Sequence, residues 1–447
     1  MLTKKRLTVW AMKSTVGVML CGSMSVCGGE LKLDDCLAAA LKANPDLQAA
    51  GYRLEAARAA VKEASSAYYP MLGLSGNWAR TDNPPQAFFM QLNQRQASLQ
   101  KDFNQPGDTE NIRGSVGVKW QLFDSGRREA DRRGAREGST AAGFMLDAVR
   151  NDLLYQVTCA YYGIMKARDS VAIQTGTVAS LQEYLRMADE RVKAGSALKT
   201  DALNLDVQLS LAREDLIRAR NGLQLSVLAL NTAVGETVLE EDAEARLDAG
   251  VLVVRPPART TVDIEGRAEW RAAEAQAKAM EALADRARRE YRPTLSALGS
   301  VDWDSATFSD YQQSYFAGVV AEVNLFDGFR TRSGVVRARA NAAAVRAEQS
   351  KLRNALRLDL TQAVLGEREA WARLEVSGKS RASAEEALRI TRDRYQQGAA
   401  DVADLMAAQV GLTTTRSRQV AAQYDCLMAQ ANVARASGDS GKGVKHE

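Results

Sequence analysis

Along most of the chain apolar side chains recur every three or four positions, and in four short stretches that period drops to two. Leu37, Leu41, Leu47, Leu54 and Val61 fall at helical spacing, with Asn44-Pro45 breaking the first short helix, so Leu33 to Ala67 reads as one bent amphipathic arm. From Pro70 the pattern changes. Leu72, Leu74, Gly76 and Trp78 alternate with Met71, Gly73, Ser75 and Asn77, which predicts a strand with one apolar face. Residues 81 to 114, rich in Gln, Asn, Pro and Asp, read as an exposed loop. A second strand, Ser115 to Phe123, sets Val116, Val118, Trp120 and Leu122 against Ser115, Gly117, Lys119 and Gln121. About ten residues per arm is the height of a strand that crosses a bilayer.

The helical period resumes at Arg127 and runs to about Ala194, on the order of 100 Å if continuous. Its stripe passes through Leu154, Val157, Tyr161, Ile164, Val171, Val178, Leu181, Leu185, Ala188 and Val192. Gly134, Gly138, Gly143, Gly163 and Gly176 predict local bends along it. The return helix, about Thr200 to Val234, carries Leu205, Leu209, Ala212, Leu216, Ala219, Leu223, Val227 and Leu230 on one side. Two long helices with a turn at Gly195 make an antiparallel coiled hairpin.

The whole series is then said again. Leu122-Phe123-Asp124-Ser125-Gly126-Arg127 returns as Leu325-Phe326-Asp327-Gly328-Phe329-Arg330, and Arg150-Asn151, Gly195, Asp201 and Gly235 return as Arg353-Asn354, Gly398, Asp404 and Gly438, all at one constant offset. Such a gap-free correspondence marks an internal duplication. Tyr69-Pro70 and Arg292-Pro293 correspond at a larger offset, so the first copy carries an insertion between its proline and its Leu-Phe-Asp. In the second copy Leu295, Ala297, Gly299, Val301 and Trp303 alternate upward, and Ala317, Val319, Ala321, Val323 and Leu325 downward. Four strands cannot close a barrel, so the sheet's open edges call for other copies of the chain and the protein is expected to be an oligomer.

The predicted organisation is a signal peptide at 1–29, a first repeat at 30–250 (β-hairpin about 70–123, helical hairpin about 127–235), a linker at 251–259 around Pro256-Pro257, a second repeat at 260–438 (β-hairpin about 293–326, helical hairpin about 330–436) and a disordered polar tail at 439–447. Lys4, Lys5 and Arg6 before Val16 to Leu20 and a small-residue region carry the export reading. Cys27-Gly28-Gly29 leaves a lipidated first residue open, with Val26 where a small residue is expected.

Composition narrows the chemistry. A net charge of +4 with interspersed signs offers no basic face, so no nucleic-acid partner is expected. Beyond the leader, Cys36, Cys159 and Cys426 are too few and too scattered for a disulfide framework. The single histidine, His446, lies in the tail, which leaves no histidine-based triad and no histidine-rich zinc site. We therefore expect no catalytic residues, no metal and no cofactor. No later stretch is apolar over the roughly 20 residues a membrane helix needs, so any crossing falls to the strands.

Four phrases together carry a resemblance: Asn44-Pro45-Asp46-Leu47, the proline-led strands at Pro70 and Pro293, the two Leu-Phe-Asp phrases, and the turns Arg191-x-x-x-Gly195-x5-Asp201 and Arg394-x-x-x-Gly398-x5-Asp404. In this order, twice over, the chain resembles the outer membrane efflux protein (TolC-like) family from about residue 31 to 438. The resemblance implies a mainly α protein with membrane β-strands, forming a homotrimer in which four strands per protomer build a twelve-stranded β-barrel in outer-membrane lipid. A periplasmic α-barrel of coiled helical hairpins would continue it. It implies an exit duct that meets a periplasmic adaptor (membrane fusion) protein and an inner-membrane pump of RND or ABC type. By the same resemblance Arg191, Gly195, Ser196, Leu198, Arg394, Gly398 and Ala399 are the adaptor-contacting helix tips, and Asp404, Asp201 and Tyr395 the periplasmic gate, with Tyr395 paired to Asp201 in the closed state. Ala400 and Ala407 depart from the TolC pattern, where an arginine and a second ring aspartate stand.

Each of these residues also has a plain structural reading. Gly195 and Gly398 would supply left-handed helix C-caps, and Asp201 and Asp404 would cap the helices that follow. The rival function, a non-channel periplasmic coiled-coil adaptor or structural protein, explains the helices but leaves the two alternating hairpins unexplained.

Overall fold

A computed structural model of the chain describes residues 31–98, 100, 102, 104–239 and 264–438; the predicted signal peptide, linker and tail lie outside them. The arm is two helices, α1 (Leu33–Ala43) and α2 (Pro45–Ser66). Then follow β1 (Met71–Thr81), α3 (Pro84–Asn93), β2 (Thr109–Phe123), α4 (Arg127–Lys193) and α5 (Lys199–Val234). The second copy repeats this with α6 (Ala268–Arg288), β3 (Thr294–Ser305), β4 (Gln312–Glu322), α7 (Arg330–Gln396) and α8 (Val402–Ser437). The duplication is metrical: α4 and α7 have 67 residues each, α5 and α8 have 36 each. The glycines expected to bend α4 do not interrupt it. Gly134 is buried against α6, where a Cβ would make ordinary contact with the Ala279 carbonyl at 3.5 Å.

The four strands form one antiparallel sheet in the order β1-β2-β3-β4. Register places Trp78 beside Ile112, Leu74 beside Val116 and Val116 beside Val301, so the apolar face is continuous across the strands. The other face carries Asn77, Arg113, Ser115, Ser300, Asp302 and Asp304. Two expectations need correction. Residues 81–114 are not one loop: Pro84-Pro85 at the first positions of a helix and Asn83 accepting from the Gln86 amide start α3. β2 then begins at Thr109, six positions before the alternation from Ser115 suggested, because Thr109 to Gly114 pair with Gly76 to Thr81. At the other end, β4 stops at Glu322, and Val323 and Leu325 lie beyond it.

The repeated Leu-Phe-Asp phrase is a strand-to-helix joint. Asp124 accepts from the backbone amides of Gly126 (3.0 Å) and Arg128 (2.6 Å), and Asp327 accepts from the Thr331 amide (2.9 Å), satisfying helix-start donors that no carbonyl reaches. Below the sheet, α4 pairs with α5 and α7 with α8, while α2 and α6 brace the upper halves of these hairpins. A core of Cys36, Val157, Tyr161, Ile164, Val227 and Leu230 ties α1 to the middle of the first hairpin.

Each copy also closes on itself where its last helix ends against its first. Asn44 caps α2 through the amides of Asp46 and Leu47 and donates to the Ala233 carbonyl at 2.9 Å. Gly235 ends α5 at φ 91°, with Pro45 Cδ 2.8 Å and the Asn44 Cα 2.9 Å from where a Cβ would stand. In the second copy Gly438 (φ 77°) sits against Arg267, whose Cα is 3.4 Å from that point. Arg267 is 1% exposed and is held by Glu269 (2.6 Å) and Asp359 (2.8 Å), and Asp359 also accepts from Arg435 at 2.7 Å. Burial pushes the Asp359 carboxyl up, and the two arginines more than offset this and hold it below the ordinary aspartate range.

Gly235→Ala forces a left-handed alanine into occupied space and is expected to cost more than the roughly 1–3 kcal/mol of backbone strain alone. Gly438→Ala, with looser surroundings, should cost less. Thermal unfolding of the two variants in detergent checks this, and equal losses would show that the Asn44 contact does not matter.

Candidate functional site

At the end of the molecule farthest from the sheet, the α4–α5 and α7–α8 turns lie side by side. Both are built alike. Gly195 (φ 74°) and Gly398 (φ 78°) take the left-handed conformation, the Ser196 and Ala399 amides donate to the Arg191 and Arg394 carbonyls, and the Gly195 and Gly398 amides donate to Val192 and Tyr395. This double bond pattern satisfies the last carbonyls of α4 and α7 and reverses the chain in a few residues.

Asp201 does cap α5, from the third helical position, whereas Asp404 is not the cap expected of it. Leu198 stands at the start of α5 and Asp201 three positions in, its carboxylate accepting from the Leu198 amide at 3.4 Å. In α8 the cap is Asp401, which accepts from the Asp404 amide at 2.7 Å. That leaves the Asp404 carboxylate exposed on the first turn of α8. The pattern Asp401-x-x-Asp404 ahead of Leu405 is a capping signature that would have identified Asp401.

The two turns are bolted together by Arg191. Its Nη1 donates to the Tyr395 carbonyl at 2.8 Å, and its guanidinium carbon lies 4.9 Å from the centre of the Tyr395 ring. Tyr395 is 2% exposed and sits in a core with Leu181, Tyr184, Ala188, Leu205, Val402 and Leu405, drawn from α4, α5, α7 and α8. Within this protomer the buried Tyr395 hydroxyl has no hydrogen-bond partner among the described residues, Asp201 included. Burial pushes this phenol above its ordinary pKa, the Arg191 charge opposes that, and the nearby Asp201 charge adds to it. Higher up, Thr177 meets Thr413 at 3.0 Å and Tyr184 donates to Gln409, extending a polar seam between α4 and α8.

The structure thus separates the predicted residues into two sets. Gly195, Ser196, Leu198, Arg394, Gly398, Ala399 and Asp404 are exposed, Leu198 at 69%. Arg191, Asp201 and Tyr395 are drawn inward at the contact between hairpins. Among the described residues no group of histidine, cysteine or carboxylate side chains is placed to hold a metal ion, and no helix is long and apolar enough to cross a membrane.

An apolar-faced four-stranded sheet continued by two long helical hairpins is the fold of outer-membrane channel subunits. The CmeC outer membrane channel of Campylobacter jejuni matches it with a TM-score of 0.81 at 16% identity, over 91% of this chain and 86% of that one. The chain belongs to the outer membrane efflux protein family, whose pattern it matches over residues 36–236 and 264–439. Protein CyaE of Bordetella pertussis is 26% identical over 408 residues, 88% of this chain and 80% of CyaE. The alkaline protease secretion protein AprF of Pseudomonas aeruginosa is 24% identical over 196 residues, 44% of this chain and 39% of AprF.

Arg191→Ala removes a charged hydrogen bond and a cation–π contact, together about 1–3 kcal/mol. Amide exchange over Ala399 to Leu405 should accelerate by about tenfold or more, with exchange near Val157 unchanged. Exchange at wild-type rates in both regions would show that Arg191 does not hold the turns together.

Proposed function

We propose that the chain is the outer-membrane exit duct of a tripartite efflux or type I secretion system, through which substrates pass from the periplasm or an inner-membrane pump to the exterior chemically unchanged. One observation carries this reading: the sheet has two unpaired edges, β1 and β4, and a continuous apolar face. In lipid an unpaired strand edge is too costly to persist, so β4 of one copy joins β1 of the next until the ring closes. Three copies would give twelve strands, in line with the family. The polar face then lines the lumen, and the helical hairpins extend the wall into the periplasm. AprF, named for protease secretion, supports a secretion role as much as an efflux one.

In this arrangement the exposed turn residues, Ser196, Leu198, Arg394 and Ala399 beside Gly195 and Gly398, meet the periplasmic adaptor. Asp404, exposed and free of capping duty, comes from three protomers as a carboxylate ring at the entrance. Tyr395 and Arg191 hold the two hairpins of a protomer together beside Asp201 at the gate, with Arg191 acting where Ala400 departs from the TolC pattern.

The protein should stay in the membrane fraction through urea and high salt, dissolve only in detergent and migrate as a trimer. Release by salt as a monomer would favour the soluble coiled-coil alternative. In planar bilayers, Asp404→Ala should weaken divalent-cation block of the current by about tenfold. Identical block curves would remove Asp404 from the entrance.

A further inference from the structure

The insertion that distinguishes the first copy lies at the end of the sheet opposite the helical turns, and it does not stand up as an outward loop. Ala87 on α3 is fully buried, and Gln94, just past the helix, is 3% exposed. Gln94 Nε2 donates to the Glu110 carbonyl at 2.7 Å and to Asn111 Oδ1 at 2.9 Å. Asn111 Nδ2 donates in turn to Asp304 Oδ1 at 2.6 Å, where Arg113 Nε also donates at 2.8 Å. Gln91 reaches Thr109 at 3.3 Å, and Arg95 donates to the Gln313 carbonyl on β4 at 3.2 Å. The insertion is therefore fastened across β2, β3 and β4.

The face to which it is fastened decides its meaning. Asn111 and Arg113 share a face of β2, Arg113 is in register with Asp304, and the opposite face carries Ile112, Val116 and Trp303. The relay Gln94–Asn111–Asp304 thus lies on the polar side of the sheet. In the second copy the corresponding connection, residues 306–311, is short and carries no helix.

We infer that α3 is a lid folded inward over the lumen at the external mouth, and that it sets the size of solute that leaves the duct. This rests on the channel reading above, which makes the polar face the lumen. On the lid, Phe89 and Leu92 are exposed at 63% and 45% and point away from the anchoring residues, narrowing the passage with apolar side chains. The anchor converges on one carboxylate: Asp304 Oδ1 accepts from both Asn111 and Arg113.

Purified full-length protein in planar bilayers, probed with neutral polymers of graded size, tests this. Asp304→Ala, and replacement of residues 83–107 by the 306–311 connection, should each raise conductance by about twofold or more and admit larger polymers. A point variant that leaves the anchor intact guards against misfolding. Leu92→Cys in a Cys159→Ser background, labelled from the external side with a bulky maleimide, should block most of the current, while the same reagent leaves the Cys159→Ser parent, whose Cys36 and Cys426 are buried, unaffected. Current that neither enlarges in the first two variants nor falls on labelling overturns the lid alone. Absence of any current from wild-type protein overturns the channel reading and the lid with it.

Discussion

Two rows of backbone N–H and C=O groups, along the edge strands β1 and β4, have no strand partner among the described residues of a single chain. In water such edges are an aggregation hazard; in hydrocarbon each unpaired group costs several kcal/mol, and no side chain can substitute for a strand. Much of the molecule is arranged around that demand. The apolar stripe of the sheet faces lipid only if the edges are sealed, and the polar stripe becomes a lumen only if the seal is a ring. The helices that follow the strands start at the repeated Asp124 and Asp327 joints, whose carboxylates satisfy the first helical amides.

Duplication supplies two equivalent walls, but the copies differ in the devices that hold them. The first closes with a neutral pairing, Asn44 against Gly235, in which shape and one amide suffice. The second closes with the buried Arg267, tolerable only because Glu269 and Asp359 neutralise it and Arg435 shares the load. The same divergence appears at the far turns, where Leu198 in one copy stands where Asp401 caps the other. A duplicated fold therefore keeps its geometry while its chemistry drifts. Equal helix lengths are what preserve the geometry, since each outgoing helix must end level with its neighbour for Arg191 to reach Tyr395.

Much of this was legible in advance. Periodicity alone separated helix from strand, and the constant spacing between Leu-Phe-Asp phrases, glycines and aspartates disclosed the duplication and the positions of both turns. Gly195 and Gly398 were readable because a left-handed helix end has a strong residue preference. The insertion was not, since Gln91, Gln94 and Asn111 look like any polar loop until Asp304, far along the chain, is brought beside them. For the same reason Arg191 read as a surface residue when it is an internal bolt.

The sequence by itself determined the local matters of the long elements: which long segments are helical, where the period falls to two, where the long helices turn, and that the two halves are one design repeated. These follow from steric and hydrogen-bonding rules that act over a few residues. Tertiary structure alone decided which polar groups meet across long separations, the lid relay on Asp304 and the Arg191–Tyr395 contact among them. A polar side chain's partner depends on register and packing summed over the whole chain, and no neighbouring residue records that sum.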